Sequence, residues 1–428
     1  MSIYRRFFSR PRSAGDLLDH HDFRRYWAAG VFNGFGGYIT GLAFPLCAVL
    51  LLHASPAEMG MLSALAIIPA AILALPSGVI LDRNRKLPIL LSSKIIQALA
   101  IASIPLAFWL GLLSIEWMYT VAVTTGACNI IGGGAEQVFL TRLIGRERLT
   151  DAQSKFAATD SASRLIAPGV AGLLVQWLTA PYAMVVNAAT FVVSIFLLRK
   201  ISASDPKPPP SDQHPLRDIA DGCRFIWHHT LLRTLAFSSA GWHFVFFGYA
   251  ALSVLYATRE LGMSPGMLGA STVVGGMGVL ASSMLLKPLI NRYGPGGTMI
   301  IGAGLCTLGF AAMPMISAQL FSSALGTTAA ASLVSLSLDC GVMLFLLPYT
   351  TLRQKVTPDA YLGRMISTMR FLSSVTAPVG ALCAGYLAEH FTVRTSMACI
   401  AAGSVLLTLV LAASGTVRTA SQNLSVQP

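Results

Sequence analysis

Asp339 stands in the apolar run Leu336-Ser337-Leu338-Asp339-Cys340-Gly341. An acid inside such a run costs roughly 2.5–3.5 kcal/mol on membrane-insertion scales, so it needs a partner or a task. A carboxyl withdrawn from water can load and release a proton near neutral pH, and a histidine titrates there already. Asp339 and His243, the latter in the run around Trp242 and Phe244, are therefore candidates for coupling proton flux to another process. The alternative is a fixed polar contact that holds helices together, which is the favoured reading for His243. Asp160 and Arg164 are four residues apart, on one helical face, and can neutralise each other or contact a passing molecule. Glu136 follows Gly132-Gly133-Gly134 and can hold a cation or proton, or bridge to a loop residue such as Arg142. Lys94 and Arg370 sit near enough to helix ends to snorkel.

The elements that position these groups are long apolar stretches. Charged residues are 11% of the 428-residue chain and mean hydropathy is +0.65. Soluble domains carry about 25% charged residues. Stretches near the roughly 20 residues needed to cross a bilayer recur along the whole sequence. They read as twelve spans: 27–52, 57–81, 87–112, 116–141, 152–179 and 181–199, then 234–258, 264–290, 297–317, 325–352, 362–388 and 393–415. Ala54-Ser55-Pro56, Ala180-Pro181, Met263-Ser264-Pro265 and Tyr293-Gly294-Pro295-Gly296-Gly297 supply turns between them. The first apolar run is too long for a signal peptide and is separated from basic Met1–Arg12 by a polar stretch, so it reads as a retained anchor.

The net charge of +12 is spread over many short loops and forms no nucleic-acid patch. It sets orientation instead. With the N-terminal side called inside, inward segments hold twenty-five Lys and Arg and outward loops hold two, Arg259 and Arg394. The positive-inside rule then places both termini in the cytoplasm. The seven cysteines show neither CxxC nor metal-ligand spacing and read as packing residues.

The chain repeats itself at an offset near 209. Ala167-Pro168 matches Ala377-Pro378, Asp82-Arg83 matches Asn291-Arg292, and His20-His21 matches His228-His229. Six spans per half make the repeat parallel, a plan in which two bundles rock about a site between them. The expected divisions are an N-terminal bundle over 1–200, a cytoplasmic linker over 201–233 and a C-terminal bundle over 234–428. Within the linker, Pro-rich 202–210 is followed by an amphipathic helix expected over Pro215–His229.

Gly78-Val79-Ile80-Leu81-Asp82-Arg83-Asn84-Arg85-Lys86 resembles the loop motif G-x-x-x-D-R-x-G-R-K/R of the major facilitator superfamily, with Arg85 where glycine is usual. Phe23-Arg24-Arg25-Tyr26-Trp27, Arg146–Ala152, Gly222–Phe225 and Leu362-Gly363-Arg364 extend the likeness over about 17–415. Within that superfamily the chain looks most like the drug:proton antiporter branch with the enterobactin exporter and macrolide-efflux proteins. The likeness implies an all-α membrane protein of twelve transmembrane helices in two six-helix pseudo-symmetric bundles. It implies a conformational latch of Gly78, Asp82, Arg83 and Lys86. It also implies that Pro168 and Gly172 belong to an antiporter-like G-P-x-x-G-G segment, in which Ala167 and Ala171 replace glycines. Spans one, four, seven and ten of that fold line a central cavity, which makes Asn33, Tyr38, Asn129, Trp242 and Tyr249 cavity candidates and lets Asp339 and His243 face it.

No phosphate-binding loop, Ser-His-Asp set or metal-protease spacing occurs, so no enzyme activity or ATP use is implied. The expected function is proton-coupled export of a small amphipathic drug, antibiotic or siderophore from a bacterial inner membrane. No cofactor beyond the proton gradient is expected. The expected partners are the small-molecule substrate, protons and the lipid bilayer, and the expected unit is a monomer. The competing readings are an uptake permease or lipid-type transporter of the same fold, and a transport-dead sensor.

Overall fold

In the computed structural model, residues 16–203, 205, 223–317, 321 and 323–418 are described. Polar residues start the helices by capping them. His20 and His229, the pair related by the repeat, each accept from a first-turn amide, Phe23 N at 3.1 Å and Leu232 N at 3.4 Å. They begin α1 (His21–Leu50) and α7 (Thr230–Leu255). Ser55 forms a capping box with Glu58 at the head of α2 (Pro56–Arg83). The remaining N-terminal helices are α3 (Lys86–Trp109), α4 (Ile115–Ile144), α5 (Leu149–Leu178) and α6 (Ala180–Arg199). The 20 residues of α6 span about 30 Å, the thickness of a hydrocarbon core.

Helical hydrogen bonding runs without interruption from Pro265 to Ala312, but Gly294 has φ 72° and ψ 173° and breaks the run in two. The pieces are α8 (265–293) and α9 (295–312); only glycine takes that backbone without strain. Then come α10 (Ala324–Lys355), α11 (Asp359–His390) and α12 (Val393–Ala413). By length and apolarity, nine helices among the described residues qualify as membrane spans, one of them the undivided 51-residue run Pro265–Met315. That run crosses twice. The 30-residue α4 and α5 carry Glu136 with its glycine run and Asp160 with Arg164, and fall below that apolarity. The total is twelve, in two bundles of six.

In the first bundle α1 packs on α5 and α6, and α4 on α2 and α3; in the second α11 and α12 pack on α7, and α10 and α12 on the α8–α9 run. The bundles meet along α2–α11 and α5–α8. The first and last described residues, Asp16 and Arg418, lie at one end, here the near end. At the far end the two halves share one apolar core, with Leu46 and Met59 from one half and Leu252, Phe310 and Met397 from the other. At the near end each half keeps its own. One is built on Phe23, Leu90 and Phe139, the other on Leu232, Met299 and Met365. The molecule is closed at the far end and parted at the near end. Of the amphipathic helix expected over Pro215–His229, residues 223–228 are helical, with Phe225 stacked on Tyr361 at 4.7 Å; 215–222 lie outside the described residues.

Candidate functional site

Beneath the far-end closure lies a cavity of about 450 Å³ between the halves. Tyr38 of α1, Phe246 and Tyr249 of α7, and Ser335, Leu338 and Asp339 of α10 line it. Among the described residues of that lining, Asp339 is the one carboxyl, and there is no Lys, Arg or His. The glycines of α8 let α10 bring it there. A methyl added at Gly278 would sit 2.3 Å from Leu336 O, and one at Gly275 would sit 2.7 Å from Asp339 Oδ2. Ser271 and Ser335 hold the same crossing with an Oγ–Oγ contact of 3.1 Å. Small residues of this kind are what allow membrane helices to approach closely.

Arg164 of α5 lies within Coulombic range of Asp339, across the seam between the halves. Asp160 and Arg164 meet through Tyr38: its hydroxyl donates to Asp160 Oδ1 at 2.9 Å, and the guanidinium lies 5.6 Å from its ring centre. No direct ion pair joins the two among the described ion pairs. Tyr38 thus joins the cavity wall to a charged pair on α5.

The other candidates stand elsewhere. His243 Nδ1–H donates to the Ser239 carbonyl at 2.7 Å, tying the ring back to its own helix. Trp242 is stacked between Phe246 at 4.8 Å and Phe345 at 6.0 Å, and borders a separate cavity of about 20 Å³ inside the C-terminal half. Tyr249 packs edge-on against Phe310 in the large cavity. Asn33 lies with Lys94 and Glu136 in a small N-terminal pocket. Asn129 accepts from Gln97 Nε2 at 2.6 Å. Lys94 does not snorkel: its side chain is 8% exposed, and Nζ lies 4.0 Å from Glu136. Glu136 therefore has a partner inside the bundle, while Arg142 pairs with Asp205 at 3.0 Å.

At the near end, the loop between α2 and α3 folds Lys86 inward. Its ammonium donates to the carbonyls of Leu81 and Asn84, the latter at 2.8 Å. Asp82 is half-buried and within Coulombic range of Lys86; Gly78 and Arg83 are exposed. Asp205, from the Pro-rich linker, accepts from Leu87 N at 2.8 Å and from Arg142, and so caps α3 beside this motif. Sequence reasoning missed it, because a lone acid among prolines carries no periodic signal. Pro168 and Gly172 lie on the face of α5 that meets α8: a methyl at Gly172 would sit 3.0 Å from Gly269 Cα, and one at Gly269 2.6 Å from Pro168 O. Among the described residues no cluster of His, Cys, Asp or Glu is placed to hold a metal.

The Major Facilitator Superfamily profile matches residues 26–381. The multidrug efflux pump Tap of Mycolicibacterium fortuitum is 23% identical over 89% of this chain and 93% of its own length. The enterobactin exporter EntS of Escherichia coli is 25% identical over 92% and 93%. The crystal structure of the nucleoside transporter NupG superposes with a TM-score of 0.73 at 11% identity, covering 93% of this chain and 99% of that one. A bacterial homologue of the iron transporter ferroportin, in an inward-facing state, superposes at 0.70 with 17% identity, covering 96% and 100%.

Proposed function

The chain belongs to the major facilitator superfamily and is a membrane transporter, not an enzyme; from that premise we propose that it exports a small amphipathic organic molecule in exchange for protons. The observation that carries the proposal is Asp339, the single carboxyl, with no Lys, Arg or His beside it, among the described residues in the wall of a cavity between two bundles. The cavity is otherwise aromatic, aliphatic and hydroxylic, which suits a cargo with a large apolar body and few polar handles. Such a carboxyl can hold a proton in one state and release it in the other, so loading of cargo and proton alternate. Both named relatives are exporters by description, which supports the direction.

The bias of basic loops supports an orientation with the near end and both termini in the cytoplasm of a bacterial inner membrane. In that orientation the parted near end admits cargo from inside, the state in which an exporter loads. The work is done by one chain, with no cofactor beyond the gradient. The test uses inverted membrane vesicles with an acid interior and a panel of dyes, macrolides and siderophores. Export appears as cargo accumulation that collapses with the gradient. Accumulation confined to right-side-out vesicles would instead establish uptake.

A further inference from the structure

The two seams between the halves are built alike at the far end. Ser55-Pro56 opens α2 and Ser264-Pro265 opens α8, at the offset that relates the halves. Each helix then presents a glycine, Gly60 or Gly269, to a glycine of the other half. A methyl at Gly60 would sit 2.9 Å from Gly385 Cα and 2.7 Å from Ala381 O; one at Gly269 would sit 3.0 Å from Gly172 Cα and 2.6 Å from Pro168 O. Ala381, Gly385 and Glu389 are spaced four apart along α11, as Pro168, Gly172 and Gln176 are along α5. The last member of each series reaches across the seam. Glu389 Oε2 accepts from Ala57 N at 3.1 Å, and Gln176 Oε1 accepts from Gly266 N at 3.0 Å. Both acceptors satisfy first-turn amides that a helix leaves without internal partners.

The clamps differ in charge. Gln176 is neutral and also accepts from Ser264 Oγ at 3.2 Å. Glu389 brings a carboxylate to the positive end of α2, where an anion is favoured. The same seam carries a second charged contact, Arg259 Nη2 donating to Ala54 O at 2.8 Å. All these contacts join opposite halves, so the far end cannot open without breaking them.

We propose that the far end is gated by these two pseudo-equivalent clamps, and that the charged one, Glu389 on Ala57, sets how readily the gate opens. The proposal requires rocking of the two halves and is independent of the cargo and of Asp339. The gate's resting bias then resides in a side chain at the rim, outside the transport cavity.

The test is labelling of the full-length protein in vesicles by a membrane-impermeant maleimide supplied from the far-end side, with both vesicle orientations run. The reporter is Ser253→Cys in the cavity wall, with the native cysteines replaced except Cys306, which is 1% exposed and reports unfolding. Glu389→Ala is expected to raise reporter labelling about two- to five-fold, the size of a lost charged cap. Glu389→Gln, which keeps an acceptor and loses the charge, is expected to raise it by a smaller factor, with Cys306 unlabelled. Gln176→Ala is expected to change it less than Glu389→Ala. Parental labelling in both Glu389 variants overturns the proposal, and so does a larger effect from Gln176→Ala than from Glu389→Ala. Labelling of Cys306 alongside the reporter in Glu389→Gln also overturns it, since the side chain would then serve folding.

Discussion

Asp339 and Arg164 come from opposite halves and lie on the two sides of one Gly-Gly step in α8. A methyl at Gly275 would meet Asp339 Oδ2 at 2.7 Å, and one at Gly276 would meet Leu165 Cδ2 at 3.2 Å and Arg164 Cγ at 3.6 Å. An acid of the C-terminal half and a base of the N-terminal half thus pack on the same bare Gly-Gly step of α8. Any rocking along the α5–α8 seam alters the field that Arg164 exerts at Asp339. That coupling of seam geometry to a cavity carboxyl is what alternating proton loading requires.

Gly275→Ala is therefore expected to act on coupling as well as on packing. Overpacking of this kind costs about 1–3 kcal/mol. The variant should lose thermal stability and shift the pH profile of transport, because Asp339 has to turn to make room. Gly276→Ala meets side-chain ends and more distant atoms, so its pH profile should match the parent. Transport rates across a pH series, beside melting curves, check both outcomes.

Lys94 and Glu136 make a second test of buried charge. Glu136→Gln leaves the 8%-exposed Lys94 ammonium without its partner. The cost is expected at about 1–2 kcal/mol, below the range for fully buried pairs because Glu136 is one-third exposed. The double variant Glu136→Gln with Lys94→Met should recover part of that loss. Melting temperatures of the two singles and the double measure it. Additive losses would show that the pair does not interact.

Asp16, ahead of α1, takes a hydrogen bond from Lys155, which holds its carboxyl below the ordinary aspartate value. A lowered folded-state value means the contact's contribution is present above the ordinary aspartate value and fades as pH falls through the folded one. Asp16→Asn should thus melt slightly below the parent at neutral pH, and the two curves should converge in acid, below about pH 4. Being solvent-exposed, the pair should also weaken as salt is raised.

Much of this architecture is legible in the sequence, for physical reasons that can be traced. Apolar length fixes the spans, and the turn at Tyr293–Gly297 foretells the break that Gly294 makes between α8 and α9. The repeated His20 and His229 prove to be matching helix caps. Side-chain direction is less legible, because helix rotation is set by packing on neighbours. Tyr38 and Tyr249 reach the large cavity, whereas Trp242, two turns before Tyr249 on the same stripe of α7, borders the small cavity in the C-terminal core. Glu136, whose candidate partners in the sequence include a loop residue such as Arg142, finds Lys94 instead, a residue on α3 that only tertiary packing brings near. The caps made by Gln176, Glu389 and Asp205 were invisible for the same reason: each acceptor and its amide lie far apart in sequence.

The central claim is that Asp339 carries the coupling proton. It is tested most directly by cargo-dependent proton movement in proteoliposomes, parent against Asp339→Asn, across a pH series. The account predicts that cargo releases protons in the parent and that Asp339→Asn abolishes this, with gradient-driven transport falling at least about tenfold, the equivalent of about 1.4 kcal/mol. Cargo-dependent proton movement and transport at parental rates in Asp339→Asn at every pH would contradict it.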